Sequence, residues 1–494
     1  MKTPTKTNNW NIPIEVSRVT EGLKKAGFQA FIVGGCVRDL FLDREPKDWD
    51  VTTDATPEEI IKTFPHTFYT NKYGTVGVVN DEATDERLKI IEVTPFRLES
   101  EYSDKRRPDS VSFSKKIEDD LKRRDFTINA LAIGFTGNVI DLYNGQKDLE
   151  NGLIRTVGDA HDRLSEDALR IMRAIRISAE LGFSIEKETL EALKTHAPLL
   201  KHIAKERVRD EFVRILMSDK PMNALTLSRE LGVLPFIAPE LEEGIGVEQN
   251  QAHAYNVWEH LLYTVQHSAD KGYPLEIRLT ALFHDIGKPK TRRFSRETNQ
   301  YTFYGHEVVG ARMTEKILKN LAFPSKTIEI VVKLVRWHMF FSDTEQITLS
   351  AVRRMIGNVG KDLIWDLMNV RICDRIGTGR PKENPYRLRK YKAMVEEALR
   401  DPISVGMLKI DGAKIIEITK LEPGPKIGFI LHALLEEVLE DPKLNTEEYL
   451  EKRTKELSKF SEIELKKLGA IGKEKKMQAE EAELEKIRSK HHVK

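Results

Sequence analysis

Two hydrophobic periodicities divide the chain. Up to about residue 155, short apolar runs of strand character alternate with turns and one helical stretch. Residues 12–25 carry apolar positions at helical spacing. Residues 30–33 form a short apolar run that meets Gly34-Gly35, and residues 49–52 follow as a second strand after the turn-like Arg44-Glu45-Pro46. Residues 77–80, 88–94 and 109–112 read as further strands, and the polar stretch 98–108 as a mobile loop between strands. From about Asp159 the spacing settles near 3.6 residues and stays there, over 164–181, 188–197, 207–217, 257–271 and 275–286. The expected fold class is therefore α+β: an N-terminal head with a mixed β-sheet and helices, then all-α regions. Residues 377–385 (GTGRPKENP) read as a linker or exposed loop. Residues 451–494 form a charged, helix-prone tail with 13 Lys/Arg against 9 Asp/Glu, expected to be a solvated helix. No internal repeat is evident.

Composition narrows the class without naming a partner. The 494 residues are 40% apolar and 32% charged, and the mean hydropathy is −0.43. These values fit a water-soluble globular protein and exclude a wholly disordered or collagenous chain. No stretch approaches the roughly 20 uncharged apolar residues of a bilayer span. The start, MKTPTKTNNWNIP, lacks the apolar core of a secretion signal. With only Cys36 and Cys373, a disulfide framework or cysteine-rich zinc site is excluded, and a cytoplasmic location is expected. Lys and Arg total 79 and Asp and Glu 78, so a nucleic-acid partner would have to be held by local basic surface.

The first chemical signal is FIVGGCVRDLFLDREPKDWDVTTDATPEEI. A strand ends at the glycine pair and a helix starts at once. Backbone N–H groups at such a terminus bind phosphate, and Gly35 allows close approach. Arg38 in the first turn adds a charge-assisted contact. Asp48 and Asp50 stand at i and i+2, which in a strand is one face. Two such carboxylates can share divalent cations, the arrangement that serves nucleotidyl transfer, and Mg²⁺ suits carboxylates plus substrate phosphates. Glu92, on an expected neighbouring strand, reads equally well as a third carboxylate or as a solvated residue.

In this order and spacing the segment resembles the DNA-polymerase-β-like nucleotidyltransferases. More narrowly, it resembles the class II branch of bacterial CCA-adding enzymes and poly(A) polymerases. EDDLKRRDFTINALA, with Arg123, Arg124 and Asp125, matches that family's second signature, and the resemblance implies that Arg124 contacts the nucleotide. DLYNGQKDL at 141–149 and ERVRDEF at 206–212 match later elements, the second of them helix-stabilising.

SEDALRIMRAIRIS, residues 165–178, carries Asp167, Arg170, Arg173 and Arg176 every three residues, one broad face of a helix that Ser165 would cap. Apolar residues surround them, so the charged stripe should face a ligand. The resemblance implies that Asp167 and Arg170 read the incoming base. The aspartate accepts from the amino group of C or A and the arginine donates to the ring nitrogen, which favours CTP and ATP over UTP and GTP. Arg173 and Arg176 would face the triphosphate or orient the base.

Residues 253–374 hold six of the 13 histidines. His260, the pair His284-Asp285 in ALFHDIGK, and Asp374 follow the order of the HD-domain phosphohydrolases. That resemblance implies that the four bind a divalent metal, with a transition metal suiting the donors. His306 and His338 lie where two-metal HD proteins carry extra ligands. His253 and His267 read as structural or solvent-facing.

The expected organisation is a head (1–155), a helical neck with the templating helix (156–220), a helical body containing the HD domain (221–385), a helical tRNA-binding tail (386–455) and a charged C-terminal helix (456–494). The expected activity is two-metal addition of the 3′-terminal CCA to tRNA from CTP and ATP, using Mg²⁺ and no membrane. Within the class, a poly(A) polymerase or a CC-only or A-only enzyme is the alternative. The charged loop ESEYSDKRRP favours completing the A. From a different class, the alternative is an HD phosphohydrolase with an inert RNA-binding head. The sequence makes no prediction of oligomeric state.

Overall fold

The middle of the head is a sheet whose strands are cut short by the loops that carry its charged residues. The structure, a computed structural model, describes residues 10–70, 74–99, 111–249, 254–296, 299–340 and 347–469. It falls into two compact units, Met1–Pro239 and Glu240–Lys494.

In the first unit, helix α1 (Ile14–Lys25) leads into β1 (Ala30–Val33), α2 (Gly35–Phe41) and β2 (Asp50–Thr53). Strands β3 (Thr67–Tyr69), β4 (Val76–Val79) and β5 (Ile90–Pro95) follow, then a separate hairpin of β6 (Arg97–Glu99) and β7 (Val111–Phe113), then β8 (Leu131–Gly134) and β9 (Val139–Asp141). Seven strands form one sheet in the order β3-β4-β5-β2-β1-β8-β9. β2, at its centre, pairs antiparallel with β1 and parallel with β5, which sets Asp50 opposite Glu92. Val33, Phe96, Ile117, Leu121 and Ala132 form a buried apolar cluster in this unit.

β1 has the bounds its apolar run predicts. Asp48 does not lie on β2, which begins only at Asp50, so the one-face argument for the two carboxylates does not hold as a strand argument. The turn before the strand brings Asp48 to the same side by another route.

Past residue 155 the first unit is helical. The stretch expected as one helix over 164–181 is two, α3 (Ala160–Glu166) and α4 (Leu169–Leu181). Asp167 at the break has φ −137° and ψ 104°, and its carboxylate accepts from the Leu169 N–H at 3.0 Å. A short acidic side chain that bonds to nearby backbone offers the chain an alternative to the helical ladder. Ser165 is therefore no N-cap; its hydroxyl donates to the Asp162 carbonyl, and Asp159 caps α3. Helix α5 (Lys205–Met217) packs on α4.

The second unit is built around α6 (Val257–Asp270), α7 (Leu275–Phe283), α8 (His306–Asn320), α9 (Ser325–Trp337) and α10 (Ile364–Gly377), with α6 against both α7 and α10. α7 ends at Phe283, three residues before its apolar pattern does. The turn that follows carries His284 and Asp285, and then Gly287, where a Cβ would lie 2.3 Å from the His306 carbonyl oxygen. Only glycine permits α8 to approach the His-Asp turn so closely. Farther along, Ile415, Ile430, Leu434, Leu450 and Leu465 belong to a separate apolar cluster. The helix Glu462–Leu468 thus buries Leu465 and is not wholly solvated as expected; residues 470–494 of the tail lie outside the described residues.

Candidate active site and metal centre

A cleft of about 930 Å³ opens in the first unit. Gly35, Arg38, Asp48, Asp50, Arg124, Asp167, Arg170, Arg173 and Arg176, nine of the head and neck residues singled out in the sequence, line it; Glu92 is not among the lining residues. Their closeness comes from four segments: the β1–α2 turn, residues 48–50 at the start of β2, the segment carrying Arg124, and α4 with the break before it.

At the turn, the glycine under constraint is Gly34. Its φ of 93° disfavours any side chain, and a Cβ would meet Arg124 Nη1 at 2.9 Å and Asp50 Oδ2 at 3.5 Å. Gly35 has no such constraint. Burial and then the charge of Asp48 raise the Asp50 carboxyl to about 6, against the pull of Arg124. Glu92, beside Asp50 in register, is raised by burial and by Asp48. Behind them burial, and then Asp50, pushes the Cys36 thiol up to about 12, so Cys36 is a packing residue.

The arginines of the cleft are each anchored by the protein. Arg38 donates to Asp39 Oδ1 and Asn129 Oδ1, both at 2.9 Å, and Asn129 donates to Asp125 Oδ1 at 3.0 Å. From α4, Arg173 reaches Asp125 Oδ2 at 2.7 and 2.8 Å. Burial works against the Asp125 charge, but Arg173 and Asn129 outweigh it and hold the carboxyl well below the usual carboxylate range. Arg176 is held by Glu211 at 2.8 Å and Glu180 at 3.0 Å. Arg124 pairs with buried Asp120 at 3.3 Å, and its Nε is buried without a hydrogen-bond partner.

Asp167 and Arg170, the two residues expected to read the base, bond to different partners within the protein. Arg170 donates to Glu166 at 2.5 Å and to the carbonyls of Arg163 (2.7 Å) and Arg123 (3.2 Å). Asp167 Oδ2 instead accepts from Arg207 of α5 at 3.0 Å. Because Asp167 sits in the interhelical break, the four charged residues do not form one continuous helical stripe. They still face one cleft. Sequence reading missed Arg207, Asn129 and Asp120 as members of this network, although each lies within a quoted motif; Arg207 and Asn129 meet Asp167 and Arg38 across tertiary structure and leave no periodic signal, whereas Asp120 pairs with Arg123 and Arg124 at i+3 and i+4.

The second unit holds a compact buried centre. His260, His284, Asp285 and Asp374 converge, and so do Asp285, His306 and His338. Asp285 Oδ2 lies 3.1 Å from His260 Nε2 and 3.3 Å from His284 Nε2; its Oδ1 lies 3.1 Å from His306 Nε2 and 3.4 Å from His338 Nε2. Asp374 Oδ1 is 3.4 Å from His260 and 3.6 Å from His284.

Backbone carbonyls orient three of the rings. His284 Nδ1 faces Ala281 O at 3.0 Å, His306 Nδ1 faces Phe303 O, and His338 Nδ1 faces Val335 O, both at 2.7 Å. A carbonyl can only accept, so Nδ1 carries the proton and Nε2 turns its lone pair to the centre, as a metal ligand does. Burial opposes charge on His284, but Asp285 and Asp374 raise it to about 10; for His338 burial prevails and lowers it to about 4. Burial also opposes ionised Asp285 and Asp374, yet their cationic and hydrogen-bonding neighbours hold both well below the carboxylate range. Lys288 pairs with Asp285 at 2.5 Å and donates to Gln249 at 2.6 Å, a participant the sequence reading did not name. His267 is apart from the centre, 3.5 Å from Glu383. His253 lies outside the described residues.

A sheet-based head with an acidic, arginine-lined cleft, and a helical unit with an HD-ordered centre, define a nucleotidyltransferase of two-part design. Residues 30–155 match the family model of the poly A polymerase head domain, 182–245 that of a probable RNA and SrmB-binding site of polymerase A, and 252–376 that of the HD domain. A CCA-adding enzyme of Leuconostoc mesenteroides is 44% identical over 260 residues, which is 51% of this chain and 63% of that protein, less than two thirds of its length. A CC-adding tRNA nucleotidyltransferase of Thermus thermophilus is 35% identical over 415 residues, 82% of this chain and 89% of that one. The crystal structure of the Bacillus stearothermophilus CCA-adding enzyme in complex with CTP is similar at 27% identity and a TM-score of 0.64, covering 90% of this chain and 96% of that chain. The chain belongs to the tRNA nucleotidyltransferase family.

Proposed function

We propose that the chain adds the 3′-terminal CCA to tRNA from CTP and ATP and releases pyrophosphate, in the cytoplasm. The supporting observation is the convergence on one cleft of nine residues taken from separate segments of the sequence. The finer division into head, neck, body, tRNA-binding tail and C-terminal helix is proposed with it. Among the described residues, no helix is long and apolar enough to cross a membrane.

The carboxylates fit a hard cation: crowding and burial raise Asp50, a repulsion that a divalent ion relieves. Asp48 and Asp50 would hold Mg²⁺, with Glu92 beside them, and bound Mg²⁺ would activate the tRNA 3′-hydroxyl and stabilise the leaving pyrophosphate. Arg38 and Arg124 supply positive charge for the triphosphate at the turn, where Gly34 leaves room. Asp167 offers a carboxylate to the amino group of C or A, and Arg170 a donor to the ring nitrogen, as buried polar pairing requires. Arg173 and Arg176 hold the wall of the cleft through Asp125 and Glu211. The tRNA would be gripped through phosphates and shape.

A second activity is favoured by the second unit's centre. Six buried ligand-type side chains with three rings fixed by carbonyls fit a divalent transition metal at His260, His284, Asp285 and Asp374. Bound metal there would supply a nucleophilic hydroxide for phosphoester hydrolysis.

The test gives the purified protein tRNAs that end before CCA, after its first C and after its second C, with CTP and ATP singly and together. Completion of all three ends is expected. A stop after CC would identify a CC-adding enzyme, runs of A a poly(A) polymerase, and no incorporation would overturn the reading.

A further inference from the structure

Asp167 can select a base only if its carboxylate is held in one orientation, and Arg170, proposed to read the same base, does not hold it. Its guanidinium is committed to Glu166 and to two backbone carbonyls. The carboxylate is fixed at two points instead. Oδ1 accepts from its own chain at Leu169 N, and Oδ2 accepts from Arg207 Nη2, both at 3.0 Å.

Arg207 comes from α5, a different helix from the one Asp167 precedes, and it lines the same cleft. Its second terminal nitrogen, Nη1, is buried without a hydrogen-bond partner. Asp167 needs such a brace because it stands in a break between two helices, where the backbone alone does not set its side chain.

We propose that Arg207 is the positioning residue for base selection: it locks the Asp167 carboxylate in the rotamer that meets the amino group of C or A. Selectivity then depends on α5 as well as on the helix that carries the template. The inference rests on the proposed reading of Asp167. A carboxylate free to rotate could also accept from the ring N–H of U or G, so the loss of Arg207 costs discrimination and not merely rate.

The experiment is single-turnover incorporation of CTP, ATP, UTP and GTP on tRNA lacking its 3′ end, by the full chain and by Arg207→Lys, Arg207→Gln, Asp167→Asn and the double variant Asp167→Asn/Arg207→Gln. Arg207→Gln should lower the preference for C and A over U and G by about tenfold. Arg207→Lys, which keeps a charged donor, should recover most of it. The double variant should discriminate no worse than Asp167→Asn alone, because Arg207 acts through that carboxylate. If Arg207→Gln slows all four nucleotides equally and keeps wild-type ratios while Asp167→Asn alters them, the positioning role is overturned and the base-reading role stands. If Asp167→Asn itself keeps the ratios, the base-reading role falls and this inference with it. Should Arg207→Gln fail to fold, Arg207→Lys decides: ratios near wild type with a cooperative melt support the brace, and ratios as relaxed as those of Asp167→Asn overturn it.

Discussion

In the first unit's cleft the carboxylates Asp48 and Asp50 stand among arginines, with no histidine among the lining residues. In the second unit four histidines and two aspartates meet, every one of them 7% exposed or less. The cleft is open and large, and its charged groups are held by partners that a ligand could exchange: Arg38 by Asn129, Arg176 by Glu211, Asp167 by Arg207. The HD centre is small and closed, and three of its four rings are fixed by backbone carbonyls, which cannot be traded away. The difference teaches what each is organised for. A cleft that admits a triphosphate and a nucleic-acid end must leave its charges displaceable. A centre for a small ion can be rigid, because little has to move for the ion to enter.

The strongest test of this separation is chemical. Asp50→Ala should reduce nucleotide addition by about a thousandfold or more, since several kcal/mol of charge stabilisation would go with the metal. Metal bound in the second unit, measured by elemental analysis, should be unchanged. Near-wild-type addition in Mg²⁺ would show that Asp50 is not a catalytic ligand.

The converse variant, His284→Ala/Asp285→Ala, should abolish metal binding in the second unit and any phosphoesterase activity there. Addition of CTP and ATP should stay within about twofold, because the transfer metals are assigned to separate ligands. If addition collapses in a folded double variant, the two centres are not independent and the comparison fails.

A smaller effect is expected at Asp167. In the proposed base-reading role, replacing it with Leu would remove one charge-assisted hydrogen bond to the base, worth about 1.5–3 kcal/mol, or roughly one to two orders of magnitude in CTP and ATP use. Pre-steady-state incorporation measures it. An unchanged rate with both nucleotides would remove Asp167 from the base site.

How far these centres could be foreseen depends on the kind of signal each residue leaves. β1 is legible because an apolar run ends in glycines, and the HD ligands because their chemistry is rare and ordered along helices. β8 was not recognised as a strand: Leu131–Gly134 is buried at every position, so it has no alternation to betray it. Thr67–Tyr69, at the other end of the sheet order, is too short and too exposed to carry a pattern. The division of α3 from α4 escaped because the apolar period runs through Asp167 unbroken, while the carboxylate's bond to Leu169 stops the helix. Arg207 escaped because an ion pair made across tertiary structure has no spacing, whereas the pairs of Asp120 with Arg123 and Arg124 stand at i+3 and i+4 and were legible. The charged loop 100–110, read as favouring addition of the final A, lies outside the described residues.

The smallest effect concerns what the arginine network contributes to folding, and it separates the two regions by pH. Asp125 is buried, and its carboxyl is held well below the usual carboxylate range by Arg173 and Asn129 despite the cost of burial. A carboxyl depressed on folding contributes stability that is present above its unfolded pKa, near 4, and is lost as pH falls through the folded value. Asp125→Asn removes that contribution and leaves Arg173, which is 37% exposed and therefore partly screened by water. Breaking a fully buried pair costs about 3–5 kcal/mol; with one partner open to solvent, about 2 kcal/mol is the expectation. Thermal unfolding of wild type and variant should differ most at neutral pH and converge as the pH falls below about 4. Chelation should leave that gap intact, because the network contains no metal ligand, while removing bound metal should lower the melting temperature of the second unit. A gap that persists unchanged into strong acid would mean that Asp125 stabilises the cleft as a neutral hydrogen-bonding group and not as a charge.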